Sequence, residues 1–497
     1  MSSLKTRSLF PVGICALLLV ASVLPTNAGP RPVPRAPRDT PVVIIAFDEL
    51  PLVSLLDRKG EIDARLFPNF AELATATTWY PNTTTTATFT HDALPAILTG
   101  REPLEGARWF PGGPGSSIFT LLDESHSILS PEPYPLLCDP LDCRREVARA
   151  PELPSIATFI EGLRSAPLVS FFSGLEDVPK EPCLCVLHVV MPHSPWVYLA
   201  DGTKYGNIEP VPGEYNPPGP GRSWTEDRWL VGQAYQRHLM QASFTDRILG
   251  AVMDRLKSLP WYDDALVFVT ADHGISFTPG TSKRGITARS AGQLAGVPLF
   301  VKSPGQTSGA IDPRRTRSTD IVPTILRKLK VETAADFDGR PLAHRGPLPT
   351  PSIDGVALSR MHRRVERAVA RKFGIFPALG TSPALYAIAP HGSEDLLGTR
   401  APDVLVGQLA AELPALEHAA LPPMIRGTLL GAGGVGRMEI GLAVDGVIVA
   451  VTRTYRYASG QHFYAMVPPE ALAGGGALRL FKVEGDRVLE EIPTRQI

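Results

Sequence analysis

The chain has 497 residues, with 49 Lys and Arg against 50 Asp and Glu and a formal net charge of −1 at pH 7. The basic residues are dispersed, with no stripe or patch along one segment, which excludes a nucleic-acid partner held through phosphate contacts. Glycine (44) and proline (50) are abundant, so many loops are expected around a core large enough for two domains.

Residues 1–28 begin with Lys5 and Arg7, run uncharged from Leu9 to Leu24, and end on Thr26-Asn27-Ala28. This is the pattern of a secretory signal peptide. The uncharged run is shorter than the roughly 20 residues that span a bilayer. A cleaved signal and an uncleaved N-terminal membrane anchor both stay open, and either places the protein outside the cytoplasm, secreted or membrane-attached. Residues 29–40 read as a Pro/Arg linker of extended character. Export permits disulfides. Cys138 and Cys143 close a short loop and are expected to pair, with free thiols as the alternative. Cys183 and Cys185 are expected to be buried free thiols, because a bond across one intervening residue would be strained.

Pro41 to Phe47 and Ala265 to Ala271 are uninterrupted apolar runs rich in Val, Ile and Phe, the signature of strands covered on both faces. Between them, Pro68 to Ala74 starts a helix, and Asn82 to Thr90 is a β-branched polar run. His91 to Gly100 reads as a helix with a glycine C-cap, which puts Thr90 or Asp92 at a helix N-terminus. Pro182 to Met191 is another strand, closed by Pro192-His193-Ser194-Pro195-Trp196. Residues 203–227 are a surface excursion. Tyr235 to Lys257 is an amphipathic helix whose apolar face is Leu239, Ala242, Leu249, Val252, Met253 and Leu256. Asp246 shares that face, and reads either as a carboxylate held by backbone bonds or as a functional group.

Val297 to Lys302 is a fourth strand, and Asp320 begins a further helix. The alternation from 41 to about 335 predicts an α/β fold, a parallel sheet with helices on both faces. Beyond 345 come a basic helix, Ser359 to Phe373, and then loops. Alternating runs over 437–484 follow, with Asp445-Gly446 as a hairpin turn. The expected organisation is a catalytic domain over 41–343, a helical and loop connection over 344–425, and a small β-rich domain over 426–497.

Asp48 and Asp272-His273 stand at the carboxyl ends of the two clearest strands, where open α/β sheets form their ligand crevice. Two hard oxygen donors and an imidazole at one place suit a divalent cation.

The run Val42 to Asp48, Phe67-Pro-Asn-Phe70, Thr90 followed by Thr99-Gly100, Thr270-Ala-Asp-His-Gly274, Val297 to Gly305, Asp320-Ile-Val-Pro-Thr324 and Asp338-Gly339 occur in this order. As an ordered set they resemble the sulfatase branch of the alkaline phosphatase superfamily, over about residues 41–343. The resemblance implies an alkaline-phosphatase-like α/β/α sandwich. It also implies ester hydrolysis at a metal site. Sulfatases carry a formylglycine made from Cys or Ser in a Cys-x-Pro-x-Arg motif shortly before Leu-Thr-Gly. Here that position is Thr90, followed by His91-Asp-Ala-Leu94, which points to the threonine-nucleophile members of the superfamily.

Carried over residue by residue, one divalent ion (Mn, Mg, Ca or Zn) is expected on Asp48, Thr90, Asp272 and His273. Thr90 is the expected nucleophile, and His193 is expected to protonate the leaving oxygen. His188 stands evenly between ligand and core histidine. Two-metal relatives supply a further His after Asp-His-Gly, but none occurs here between His273 and His344. Lys283-Arg284 stands where sulfatases present a lysine to the ester oxygens. Lys283 is the expected contact, a cation there could replace a second metal, and a solvated charge pair is the alternative. Glu49 is either a ligand or, by strand alternation, turned away.

The expected function is an exported metal-dependent hydrolase of phosphate or sulfate esters, on a small-molecule or an envelope glycan or lipid substrate. An envelope phospho-alcohol transferase and a catalytically degenerate envelope-binding protein are the alternatives.

Overall fold

The strand at Val42–Asp48 (β1) is buried at every residue, and its alternate side chains feed two separate cores. Val43, Ile45 and Phe47 pack on one face, and Val42, Ile44 and Ala46 on the other. A strand with helices on both sides has no polar face, which is why its sequence shows no alternation. The computed structural model describes residues 37–103, 116–131, 156–176, 182–206, 211–215, 223–347, 350–413, 423–431, 436–457, 460–473 and 476–496. The expected N-terminal signal or anchor and the expected pairing of Cys138 with Cys143 lie outside the described residues. Among those described, no helix is long and apolar enough to cross a membrane.

After β1 come helices α1 (Leu52–Leu55) and α2 (Pro68–Ala76), strands β2 (Thr78–Trp79) and β3 (Thr83–Thr84), and helices α3 (Thr90–Thr99) and α4 (Ile118–Leu122). Then follow β4 (Ser127–Leu129), α5 (Ile156–Glu176), β5 (Cys183–Pro192), β6 (Glu214–Tyr215), β7 (Ser223–Trp224), α6 (Arg228–Lys257) and β8 (Leu266–Ala271). The domain is completed by α7 (Ala291–Leu294), β9 (Leu299–Lys302), β10 (Ala310–Ile311), β11 (Thr316–Arg317) and α8 (Ile321–Leu329). The main sheet has seven strands in the order β10-β2-β9-β8-β1-β5-β4. Helices α2 and α6 cover one face, and α3, α4 and α8 the other. This is the expected α/β/α sandwich.

One expectation is corrected. Strands β8, β1, β5 and β4 are parallel, but β9 runs antiparallel to β8. A parallel return needs a crossover of a dozen or more residues, usually helical. The chain between β8 and β9 contains only the four-residue α7, with no helix long enough to carry it across the sheet, and β9 enters opposite the end of β8, so it runs back along that strand.

Helix α6 starts at Arg228, ahead of the expected Tyr235, because Asp227 caps it by accepting from Trp229 N at 3.0 Å and Leu230 N at 3.4 Å. Asp246, on its buried face, caps a different helix. It accepts from Asn69 N at 3.1 Å, Asn69 Nδ2 at 2.7 Å and Phe70 N at 2.8 Å, satisfying the orphan N–H groups that open α2. Gly250 leaves room for this contact, since a Cβ there would meet Asn69 Oδ1 at 2.3 Å. Cys183 and Cys185 are buried free thiols with sulfurs 3.5 Å apart.

The remaining elements are the short pair β12 (Ser352–Ile353) and β13 (Val356–Ala357), helix α9 (Met361–Ile375), and a β-rich C-terminal region. Its strands are β14 (Ala410–Leu413), β15 (Met424–Leu430), β16 (Glu439–Val444), β17 (Val447–Arg453), β18 (Tyr455–Tyr457), β19 (Gly460–Met466), β20 (Leu478–Glu484), β21 (Arg487–Ile492) and β22 (Thr494–Gln496). They form sheets ordered β18-β19-β15-β14-β22 and β17-β16-β20-β21, packed around their own apolar core. The β16–β17 hairpin turns at Asp445 (φ 50°) and Gly446 (φ 76°), the two positive values that a type I′ turn needs. Tyr464 and Met466 belong instead to the main-domain core, so the two regions share buried surface.

Lys372 on α9 is buried, and its ammonium donates to Val53 O at 2.8 Å, Ser54 O at 3.2 Å and Leu56 O. It thereby fastens the segment that follows β1. Burial pulls the Lys372 pKa down to about 7, opposed by Asp63 and Asp57. A lysine with a lowered folded-state pKa binds fewer protons folded than unfolded, so stability rises with pH from about 7 towards the ordinary lysine range. Lys372→Met leaves three carbonyls without a donor and should cost about 3 kcal/mol at neutral pH by urea unfolding. Its deficit against wild type should widen as pH is raised from about 7 to about 10. A deficit that narrows over that range would contradict this account of Lys372.

Candidate metal and nucleophile site

Three strand ends converge on one point. Asp48 ends β1, Asp272 follows β8, and the two strands are in register through Phe47 and Ala271. On the other side Ala46 is opposite His188 of β5. Leu184 and Val186 lie on the same face of β5 as Ile44 and Ala46 do on β1. Alternation therefore carries both His188 and Asp48 to the side that α3 covers. Asp48, His188 and Asp272 are buried and present ligand atoms within 4.8 Å of one another.

Helix α3 delivers Thr90 as its first residue, after Phe89 in extended conformation. Half-buried Thr90 holds Oγ1 3.3 Å from His273 Nε2 and 3.5 Å from Asp48 Oδ1. The first N–H groups of the helix and its dipole favour negative charge there. His273 Nδ1 lies 2.8 Å from Gly274 O. A donated Nδ1–H leaves the Nε2 lone pair facing Thr90 and the carboxylates, the tautomer a metal ligand needs. Gly274 has no room for a side chain, since a Cβ would fall 1.9 Å from Gln293 O.

Asp272 is asymmetric. Its Oδ1 accepts from His273 N at 2.6 Å and Glu49 N at 3.3 Å. Its Oδ2 is buried without a hydrogen-bond partner among the described residues, although His273 Nε2 lies 3.5 Å away and His188 Nε2 4.0 Å away. Burial, and for Asp48 the neighbouring Asp272, push both carboxyls above the usual carboxylate range. Two adjacent buried carboxylates with an oxygen unclaimed are what a divalent cation resolves, because its charge reverses the local preference for protonation. The donor set fits: Asp48, Asp272, His273, Thr90 and His188 supply carboxylate, imidazole and hydroxyl.

Glu49 departs from its strand-based expectation. Its φ is 59°, a left-handed conformation that costs roughly 1–3 kcal/mol for a non-glycine residue. The turn ends the alternation and returns the Glu49 carboxylate to the site, where it is 1 % exposed. It pairs with Arg284, accepts from Ser194 N at 3.0 Å and lies 4.0 Å from His193 Nε2. Burial would raise its pKa, but the Arg284 guanidinium and His193 outweigh that and hold Glu49 well below the usual range. Burial and Arg284 lower the His273 pKa to about 3, which keeps its ring neutral.

Arg284 is the cation that reaches the centre. It donates to His273 Nε2 at 2.8 Å, His193 Nε2 at 3.1 Å and Thr88 O at 3.1 Å, and lies 5.5 Å from the Phe89 ring centroid. Lys283, expected in that role, points elsewhere. Its ammonium donates to Glu214 at 2.6 Å and sits 5.7 Å from the Trp196 ring centroid and 5.6 Å from that of Trp224. The two side chains leave the loop in different directions, and only Arg284 enters the site. The structure thus gathers Asp48, Thr90, Asp272, His273 and His193, adds His188, Glu49 and Arg284, and places Lys283 in a neighbouring ion pair.

A family model described as Sulfatase matches residues 143–331, less than half of the chain. That span holds His188, His193, Asp272, His273 and Arg284, and begins after Asp48 and Thr90. No curated protein matches the sequence. Among solved structures, the phosphonate monoester hydrolase SpPMH from Silicibacter pomeroyi is similar at 17 % identity and a TM-score of 0.44, covering 61 % of this chain and 76 % of that one. The phosphonate monoester hydrolase of Agrobacterium radiobacter is similar at 16 % identity and a TM-score of 0.46, covering 67 % and 83 %. BT4656, solved in complex with its substrate D-glucosamine-2-N,6-O-disulfate, is similar at 14 % identity and a TM-score of 0.46, covering 63 % and 81 %.

The different placement of the two cations has a measurable consequence. Arg284→Met should lower kcat/KM on small aryl esters by about 100-fold or more, the scale seen when one preorganised charge donor is removed. Lys283→Met should instead lose stability, by about 3 kcal/mol, because it removes the ammonium beside the buried Glu214 carboxylate. Adding Glu214→Gln should restore most of that loss, with aryl-ester activity near wild type. Equal catalytic losses from the two single variants would contradict the geometry.

Proposed function

We propose that the protein is a metal-dependent ester hydrolase of the sulfatase type that cleaves phosphate esters through Thr90. The observation that carries this reading is the position of Thr90: a half-buried hydroxyl at a helix N-terminus, 3.3 Å from His273 Nε2 and 3.5 Å from Asp48 Oδ1. The match of the sulfatase model to the segment bearing Asp272, His273 and Arg284 supports the reaction class. Neither Cys nor Ser stands at position 90 to become formylglycine, which favours phosphate over sulfate.

In this reading Asp48, Asp272, His273 and Thr90 hold one divalent ion, with His188 a further donor. Two imidazoles beside carboxylates suit Mn or Zn better than an all-oxygen cation such as Ca. Bound there, the ion supplies the charge that stabilises a deprotonated Thr90 hydroxyl and polarises the ester. Arg284 holds the anionic oxygens of the ester, and Glu49 and Thr88 O keep the guanidinium aimed when His273 is engaged. Its fixed charge takes the place that a second metal would fill. Thr90 Oγ1 attacks phosphorus, the bond to the leaving oxygen breaks, and His193 protonates that oxygen. Water then cleaves the threonine ester and regenerates the hydroxyl.

Purified protein is to be assayed on phosphate monoesters, phosphate diesters and sulfate esters with Mn, Mg, Ca and Zn in turn. Thr90→Ala should fold and bind metal yet lose about 1,000-fold or more in turnover, whereas Thr90→Ser should keep a measurable fraction because the hydroxyl survives. Wild-type rates from Thr90→Ala would refute the nucleophile. Asp272→Ala should lose bound metal and activity together, and full metal content in that variant by elemental analysis would refute the ligand set. Stoichiometric metal without turnover of any ester would favour a binding protein on the same scaffold.

A further inference from the structure

Basic residues that lie apart in the sequence are gathered by the fold around one small cleft, of about 260 Å³. Its lining comes from two segments. Arg314 and Arg315 stand at the entry to β11, and Arg340, His344 and Arg345 lie on the loop that follows α8. Asp320 is the one carboxylate among the described residues of the lining, against four arginines. The lining contains none of the residues of the ester site.

The two segments are fastened to each other and to the core. Arg314 grips Asp312, its Nε donating to Oδ1 at 2.7 Å and to Oδ2 at 3.0 Å. The Nη1 of Arg314 donates to His344 O at 3.1 Å and so joins the segments. Leu342 N donates to Thr324 Oγ1 at 2.9 Å, which holds the loop on α8. Both oxygens of Asp320 are engaged within this frame. Oδ1 accepts from Arg340 N at 2.8 Å and Oδ2 from Arg317 N at 2.9 Å, and the residue is 2 % exposed.

The cations are left over. Among the described residues, the guanidiniums of Arg340 and Arg345 have no hydrogen-bond or ion-pair partner, and both residues are exposed. Exposed arginines on an open surface repel one another little, because water screens them. In a concave wall of one sign the field is focused instead, and an anion is drawn in.

The chemistry narrows the anion. Two open guanidiniums carry two charges, the complement of a dianion, whereas a carboxylate would leave one unmatched. Each presents a planar fork of N–H donors that fits a pair of phosphate oxygens. The volume falls just below that of ordinary ligand pockets, about 300 Å³ and upward, so a phosphate with a short organic arm fits and a polymer does not. We infer that this cleft is a second anion site, which binds a phosphate dianion, free or as the phosphoryl group of a small phosphomonoester. The inference is independent of the ester-hydrolase reading and concerns a different part of the domain.

Equilibrium dialysis of the metal-loaded protein against radiolabelled orthophosphate, at physiological ionic strength, reads this site directly. Arg284→Met serves as the background, because it disables the cation of the ester site and leaves the cleft intact. It should bind one phosphate saturably. Adding Arg340→Gln and Arg345→Gln should weaken that binding about 100-fold, since each charge-assisted fork lost is worth about tenfold. Both positions are exposed, so the variant should fold, which circular dichroism checks. Undiminished binding without Arg340 and Arg345 would overturn the inference. So would binding that never saturates, the mark of an adventitious ion only. In Arg284→Met, displacement of the label by glycerol 2-phosphate supports a phosphomonoester as the ligand, and no displacement supports free phosphate.

Discussion

The carboxylates of Asp48 and Asp272 are buried side by side at the carboxyl ends of β1 and β8, and that of the next residue, Glu49, is buried against Arg284. Burying one unpaired carboxylate is already expensive, and like charges side by side raise the cost. The site answers with one cation of its own and one cluster of metal-ligand type. Arg284 neutralises Glu49. Asp48 and Asp272 have His188, the neutral His273 ring and a hydroxyl around them, which is the environment of metal ligands. Removing Arg284 would leave Glu49 to protonate or the loop to open, and Asp48, Asp272, His273 and Thr90 form the donor set that the proposed metal would occupy.

The fold supplies the rigidity that such a balance requires. β1 is locked between β5 and β8, and the turn after it is held by Lys372 from α9. The loop between β8 and β9 carries His273 and Arg284 into the site while Lys283 pairs with Glu214. The strained backbone at Glu49 is tolerated because its N–H bonds Asp272 and its carboxylate bonds Arg284 and Ser194. Strain of this kind persists where surrounding contacts over-determine it.

Much of this was legible in the sequence where local physics decides the outcome. The apolar runs at Val42, Cys183 and Leu266 could only be covered strands, and Thr90 falls on the helix start that the Gly100 cap implies. Asp445-Gly446 specifies its hairpin without help. What escaped depends on tertiary context. Glu49 obeys strand alternation on paper, and only its positive φ overturns that. Adjacent cations at 283 and 284 cannot be told apart until the loop has a path, and β9 reverses because its connection carries no long helix. His188 was within reach, since it shares the parity of Leu184 and Val186 on a strand in register with β1. Asp246 needed the partner helix it caps, which lies 176 residues away in sequence.

The central claim is that Thr90 becomes covalently phosphorylated in turnover. Rapid quenching of the metal-loaded protein with a good phosphate ester, followed by peptide mass spectrometry, reads this directly. The account predicts a phosphoryl group on the peptide carrying Thr90, forming and decaying at rates that match turnover and absent from Thr90→Ala. Full turnover with that peptide unmodified at every quench time would contradict it.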